Sequence, residues 1–217
     1  MYARRRDPDD QIVPDLVLAS LNPGKLVELR ALLDRLGIWL DVASPADLGL
    51  ALDVAETSDT FEANAVLKAR AWAEAAGMPA LADDSGIEVD ALGGAPGVHS
   101  ARWVPGPDEA RVAALLQRLD AVPDAARTAR YRAVVALARP GDATVATASG
   151  AVEGRIARAP RGEGGFGYDP VFLVEDGGYV GARTMAELSA AEKDRVSHRA
   201  RALAGLRGAL ASLGALG

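Results

Sequence analysis

The chain of 217 residues carries 24 Lys+Arg against 30 Asp+Glu, a formal net charge of −6, which excludes a nucleic-acid binder built on a cationic face. Hydrophobic residues at 49% and charged residues at 25% describe an ordinary folded soluble domain, not a disordered one. Cysteine is absent, so disulfides, thiolate metal sites and a Cys nucleophile are excluded together, and two histidines, His99 and His198, cannot complete a three-His zinc site. Any metal is therefore expected to be a hard, oxygen-bound cation such as Mg²⁺. No apolar run reaches the ~18 residues of a membrane span, and the first residues lack the apolar middle of a signal peptide, which predicts a cytoplasmic protein with no membrane partner.

Residues 1–14, MYARRRDPDDQIVP, are charged and Pro-punctuated and read as a flexible arm, leaving 15–217 as a single domain. The run Leu16-Val17-Leu18-Ala19, closed by turn residues, reads as a buried strand. Leu26, Leu29, Leu33 and Leu36 then follow helical spacing up to Gly37, a natural stop. A second helix is expected from about Thr60 to Ala76, capped by Asp59 with Glu62 three residues on. Phe61, Ala65, Ala69, Trp72 and Ala76 make its apolar stripe, with Asn64 and Lys68 side by side on the opposite face. Pro79 to Ala82 leads into Asp83-Asp84-Ser85-Gly86, after which Ile87 and Val89 alternate with Glu88 and Asp90, predicting two strands that meet at an acidic corner. A helix over Asp108 to Leu119 follows, then paired strands over Thr128 to Ala138 and Thr144 to Val152 around the Pro140-Gly141 turn. These elements give an α/β class with a mixed sheet, without an internal repeat.

Four segments carry chemistry. Ser20-Leu21-Asn22-Pro23-Gly24-Lys25 lies between a buried strand and a helix N-terminus, where free N–H groups and the helix dipole attract anions. A phosphate site and a capped turn with a solvated lysine are both open readings of it. Asp83 and Asp84 end an apolar stretch, where like charges repel unless a cation such as Mg²⁺ intervenes, and Glu56 could add an oxygen ligand. An Asp-rich turn is the alternative. The segment Arg161 to Pro170 contains a literal G-x-G-x-x-G at Gly162, Gly164 and Gly167. It runs into the strand-like Tyr168-Asp169-Pro170-Val171-Phe172-Leu173 instead of opening a helix, so a loop presenting two aromatics and a carboxylate to a planar ligand is the better functional reading. A plain connecting loop is the other.

Ser189-Ala190-Ala191-Glu192 is a capping box, followed by Lys193, Asp194, Ser197, His198 and Arg199. On an unbroken helix Lys193 and His198 would lie roughly 140° apart. Either the helix restarts at Ser197, which could cap a new helix from Arg199 to Leu213, or the two grip different parts of a ligand. His99 reads as a structural loop histidine. Phosphate binding, metal carboxylates, aromatic stacking and base-edge donors together describe a nucleotide hydrolase without a covalent nucleophile.

SLNPGKLVEL, ETSDTFEANAVLKA, ADDSGIEVDALGGAPGVHSARW, GEGGFGYDPVF and TMAELSAAEKDRVSHR stand in the order and spacing of the inosine/xanthosine triphosphate pyrophosphatase family, which the chain resembles from about Leu16 to Leu210. That resemblance implies Mg²⁺-dependent hydrolysis of the non-standard purine nucleotides ITP, dITP and XTP to the monophosphate and pyrophosphate, cleansing the nucleotide pool. It also implies a homodimer, and an elongated mixed sheet flanked by helices in two lobes around a central active-site cleft. By position it implies that Ser20, Leu21, Asn22, Pro23, Gly24 and Lys25 form the phosphate-binding turn and that Asn64 and Lys68 belong to the Asn-Ala-x-x-Lys helix. Glu56 and Asp84 would bind the metal, with Asp84 also the general base, and Ser85 would touch substrate. Phe166, Gly167, Tyr168 and Asp169 would form the base pocket, with Lys193, His198 and Arg199 as the remaining nucleotide contacts.

The chain departs from the family pattern with Ser20-Leu21-Asn22 where Thr-Gly-Asn is common, Asp194 for a frequent Asn, and His99 for a frequent Tyr. Two other functions stay open: a pyrophosphatase of the related septum-formation-inhibitor class, acting on methylated or pyrimidine nucleotides, and a nucleotide-sensing module that binds ITP and releases nothing.

Overall fold

The computed structural model describes residues 13–179 and 181–214. The arm expected over 1–14 lies, apart from Val13 and Pro14, outside the described residues. A six-stranded mixed sheet runs in the order β2-β1-β3-β4-β5-β6, with β1 Leu16–Leu18, β2 Val42–Ala43, β3 Ala80–Val89, β4 Thr128–Ala138, β5 Ala146–Ile156 and β6 Phe172–Val174. The helices are α1 Pro23–Leu36, α2 Phe61–Ala76, α3 Asp108–Arg118, α4 Ala190–Arg195, α5 His198–Gly205 and α6 Arg207–Gly214.

The described residues form two compact units, one from 13–84, 134–149 and 202–214, the other from 85–133, 150–179 and 181–201. In the first unit β1 lies between two parallel partners, Leu16 opposite Val42 and Leu18 opposite Leu81, so all three of its residues are buried and its sequence is apolar throughout instead of alternating. Asn22 caps α1 by accepting the Gly24 N–H, Pro23 opens the helix, and Gly37 closes it in the left-handed conformation at φ +66°. The cap of α2 is Thr60, which accepts the Ala63 N–H, and not the expected Asp59. The capping oxygen must belong to the last non-helical residue, and the helix starts at Phe61.

In the second unit β5 and β6 are antiparallel, Gly154 opposite Val174 and Ile156 opposite Phe172. The core gathers Ile87, Leu115, Leu119, Val152, Ile156 and Phe172. Arg127 is buried among these elements with its guanidinium donating to three carbonyls, Leu119 O at 2.7 Å and Ile156 O and Ala157 O at 2.9 Å. It closes the α3 end against the end of β5, replacing the water those carbonyls would otherwise bind.

The acidic corner expected between two strands is absent. β3 runs unbroken through Asp83, Asp84, Ser85 and Gly86, and every residue from Ala80 to Asp84 is buried. Gly86 permits this because the 97–100 turn packs on its backbone. Ser100 Oγ accepts the Ile87 N–H at 2.9 Å and donates to Gly97 O at 2.6 Å, and a Cβ on Gly86 would lie 2.5 Å from Gly97 O and collide with Ser100 Oγ. Gly86→Ala is therefore expected to destabilise the protein by about 2 kcal/mol, since packed backbone cannot yield cheaply. In thermal unfolding a midpoint lowered by about 4–8 °C checks this; an unchanged midpoint would show that the turn moves freely.

The strand expected over Thr144 to Val152 begins at Ala146 and continues to Ile156, because β6 supplies partners for its last residues. The single helix expected from Arg199 to Leu213 is divided at Leu206 into α5 and α6.

Candidate active site

In the first unit three acids and two lysines converge. β1 ends at the Ser20–Lys25 turn, where Ser20 Oγ accepts the Asn22 N–H at 3.2 Å and Asn22 Oδ1 accepts that of Gly24 at 2.9 Å. The start of α1 then directs Lys25 onto Asp83 of β3, with Nζ 2.7 Å from Oδ1. Lys68, at the middle of α2, reaches the same strand. Its ammonium lies 2.6 Å from Glu56 Oε1, 2.6 Å from Asp83 O and 3.8 Å from Asp84 Oδ1. Asp83 and Asp84 are both buried, 9% and 7% exposed, so their charges rest on these lysines in a poorly solvated place.

Asn64 and Lys68 do not form the polar face expected opposite the apolar stripe. Asn64 is wholly buried, and its amide accepts the Ser58 N–H at 3.0 Å and donates to Ser58 O at 3.1 Å. It fastens the segment that carries Glu56 to the helix that carries Lys68. Leu21 is exposed. Asp53 is exposed, whereas Glu56 is half-buried and ion-paired with Lys68.

Among the described residues no group of three or more His, Asp or Glu side chains is arranged to hold a metal ion. Glu56 and Asp84 are nevertheless two hard oxygen donors facing one ammonium. That donor set fits Mg²⁺, which keeps waters and takes one or two carboxylates together with substrate phosphate.

The second unit begins at Ser85, the residue bonded to Asp84. Arg199 Nη2 donates to Ser85 Oγ at 3.0 Å, and the guanidinium carbon lies 5.8 Å from the ring centre of Phe166, a side chain 66% exposed. Asp169 is buried and accepts from the Lys193 ammonium at 3.0 Å and the Tyr131 hydroxyl at 3.0 Å. Gly165, at φ +86°, leaves the space these groups need, since a Cβ there would strike both Asp169 Oδ2 and Lys193 Nζ. The loop is anchored at its next glycine, whose N–H donates to Asp108 Oδ2 at 2.6 Å. That hydrogen bond from Gly167, aided by Arg111 and opposed by burial, holds the Asp108 carboxyl below its ordinary value. Tyr168 packs in the core and donates its hydroxyl to Ser100 O at 3.0 Å; burial pushes its phenol up to about 12.

The two options left open for Lys193 and His198 are decided by a break. The capping box of Ser189 and Glu192 opens α4, the helix stops at Val196, and Ser197 Oγ accepts the Ala200 N–H to start α5. Lys193 then bonds Asp169, and the His198 ring stacks on Tyr131 at 5.2 Å and 12°. Three participants went unnoticed in the sequence: Asp83 as partner of Lys25, Asp108 as anchor of the glycine loop, and Tyr131. Tyr131 had a weak signal, a hydroxyl on the inward face of an alternating Ala129, Tyr131, Ala133 pattern.

The Ham1 family model matches residues 16–209. The chain belongs to the Ham1 family. Among its curated relatives, the dITP/XTP pyrophosphatase of Symbiobacterium thermophilum is 55% identical over 192 residues, spanning 87% of this chain and 91% of that one. The dITP/XTP pyrophosphatase of Bacillus subtilis is 45% identical over 194 residues, spanning 88% and 94%. A solved Ham1 protein from Coxiella burnetii superimposes with a TM-score of 0.80 at 42% identity, covering 91% of this chain and 98% of that one. The mixed sheet flanked by helices is thus the Ham1 fold, as the motifs implied.

Proposed function

We propose that this Ham1 protein is a nucleoside triphosphate pyrophosphatase that hydrolyses ITP, dITP and XTP between the α and β phosphates, releasing pyrophosphate and so cleansing the nucleotide pool. The observation that carries the reading is the double lysine grip on consecutive acids of β3, Lys25 on Asp83 and Lys68 beside Asp84. Relatives at 45–55% identity bear the name dITP/XTP pyrophosphatase, which supports it.

Mg²⁺ held by Glu56 and Asp84 would supply neutralising charge to the phosphate oxygens. Asp84 takes the proton of a water whose oxygen bonds to the α phosphorus as the bridging bond to the β phosphate breaks. Lys25 and Lys68 offset the charge of the departing pyrophosphate. Phe166 stacks on the base, while Lys193, His198 and Arg199 donate to its edge.

The test is pyrophosphate release with Mg²⁺ across ITP, dITP, XTP, the standard nucleotides, and methylated and pyrimidine analogues. Strong preference for the first three supports the reading. Preference for the analogues, or binding without release, overturns it. Because the Lys25 site should grip phosphates and not the base, Lys25→Ala is expected to lower kcat/KM for ITP and XTP by a similar factor. A large change in the ratio between the two would assign the lysine to the base pocket instead. The reading carries a cytoplasmic homodimer, which fractionation and light scattering check; among the described residues no helix is long and apolar enough to cross a membrane.

A further inference from the structure

We propose that Tyr131 is a positioning residue for base selection, acting through its hydroxyl on Asp169 and thereby on Lys193. This rests on the reading of Asp169 and Lys193 as part of the base-recognition side. The two oxygens of Asp169 are divided between different tasks. Oδ1 accepts from Tyr131 at 3.0 Å, and Oδ2 accepts from Lys193 at 3.0 Å and from the Phe166 N–H at 3.4 Å.

A carboxylate held at one oxygen can turn about its last bond; held at both, it cannot. The phenol therefore sets the plane of the carboxylate, and that plane sets where the Lys193 ammonium and the Phe166 backbone stand. The tyrosine is itself packed on both sides. It is buried, its ring lies 4.5 Å from that of Phe172 on one side, and the His198 ring is stacked on it at 5.2 Å. Burial, followed by the charge of Asp169, pushes the phenol well above its ordinary value, so the hydroxyl remains a donor.

An ammonium displaced by a fraction of an ångström donates poorly to a 6-oxo group, and it was never well matched to a 6-amino group. Loss of the hydroxyl is therefore felt in the preferred substrates and hardly in ATP.

Tyr131→Phe keeps both ring contacts and removes the one oxygen. Thermal midpoints and steady-state kinetics with ITP and ATP, in the full chain with Mg²⁺, provide the test. The variant is expected to keep its midpoint within about 2 °C, to lose about tenfold in kcat/KM for ITP, the size of one buried hydrogen bond, and to change less than about twofold for ATP. The ITP-to-ATP ratio then narrows about tenfold. In an Asp169→Ala background the same replacement should move the ratio no further.

An unchanged ratio overturns the proposal. So does an equal fall for both nucleotides with a lowered midpoint, the mark of a purely structural tyrosine, or a full effect persisting without Asp169. Should the unmodified protein fail to prefer ITP over ATP, the base-recognition reading itself falls, and the tyrosine's role with it; that outcome is seen before any variant is measured.

Discussion

Replacing Asp84 by Asn is expected to leave a folded protein that turns over ITP at least ~10²-fold more slowly, the lower range of what a positioned carboxylate base contributes. Asn has nearly the same shape and can still occupy the buried place on β3, where Asp84 is 7% exposed and 3.8 Å from the Lys68 ammonium. It cannot take a proton at neutral pH, and it brings no charge to a cation. Both proposed duties of Asp84 therefore fail together, while Lys68 keeps its contacts with Glu56 and Asp83 O at 2.6 Å and should hold the strand and α2 in place. Circular dichroism and thermal unfolding establish that the variant is folded; pyrophosphate release measures the loss. Near-normal turnover in a folded Asp84→Asn protein would remove this residue from the mechanism.

The second large effect concerns discrimination. Hypoxanthine and xanthine carry a 6-oxo acceptor where adenine carries a 6-amino donor, so an edge lined by donors attracts the first two and opposes the third. Leaving buried polar groups unpaired can discriminate by up to ~10⁴–10⁵-fold, and ATP is accordingly expected to be a poor substrate. Arg199, proposed for this role, donates to Ser85 Oγ at 3.0 Å, with the Phe166 ring 5.8 Å from its guanidinium carbon. Arg199→Ala should therefore lower ITP turnover much more than ATP turnover and narrow their ratio. Phe166→Ala, which removes the stacking ring while Arg199 keeps its bond to Ser85 Oγ, should depress both alike. Guanine also has a 6-oxo group, so exclusion of GTP must come from shape or poor pairing around its 2-amino group. Equal efficiency with ITP and ATP in the unmodified protein would defeat the assignment, and an unchanged ratio in Arg199→Ala would defeat that residue's part in it.

Features set by neighbours along the chain are legible in the residues alone. The Asn22-Pro23 start of α1, its Gly37 stop and the Ser189-Glu192 capping box all rest on bonds within about four residues, and each stands where local chemistry puts it. The five motifs likewise carried the family and the fold class. The tertiary structure alone decided the rest, because the remaining decisive contacts join residues far apart in sequence. Asn64 looked like a polar surface residue by helical spacing, yet the segment folding back over it makes it a buried fastener for Ser58. Asp83 to Gly86 looked like a turn by composition, yet α1 and α2 supply lysines that let buried acids continue a strand, and the Ser100 turn seals the glycine. The register of β4 brings Tyr131 to Asp169, 38 positions away, and the break at Ser197 lets His198 stack on that tyrosine. Periodicity reports which face of an element is apolar. It cannot report which polar group waits there, since that depends on which strand lies alongside and in what register.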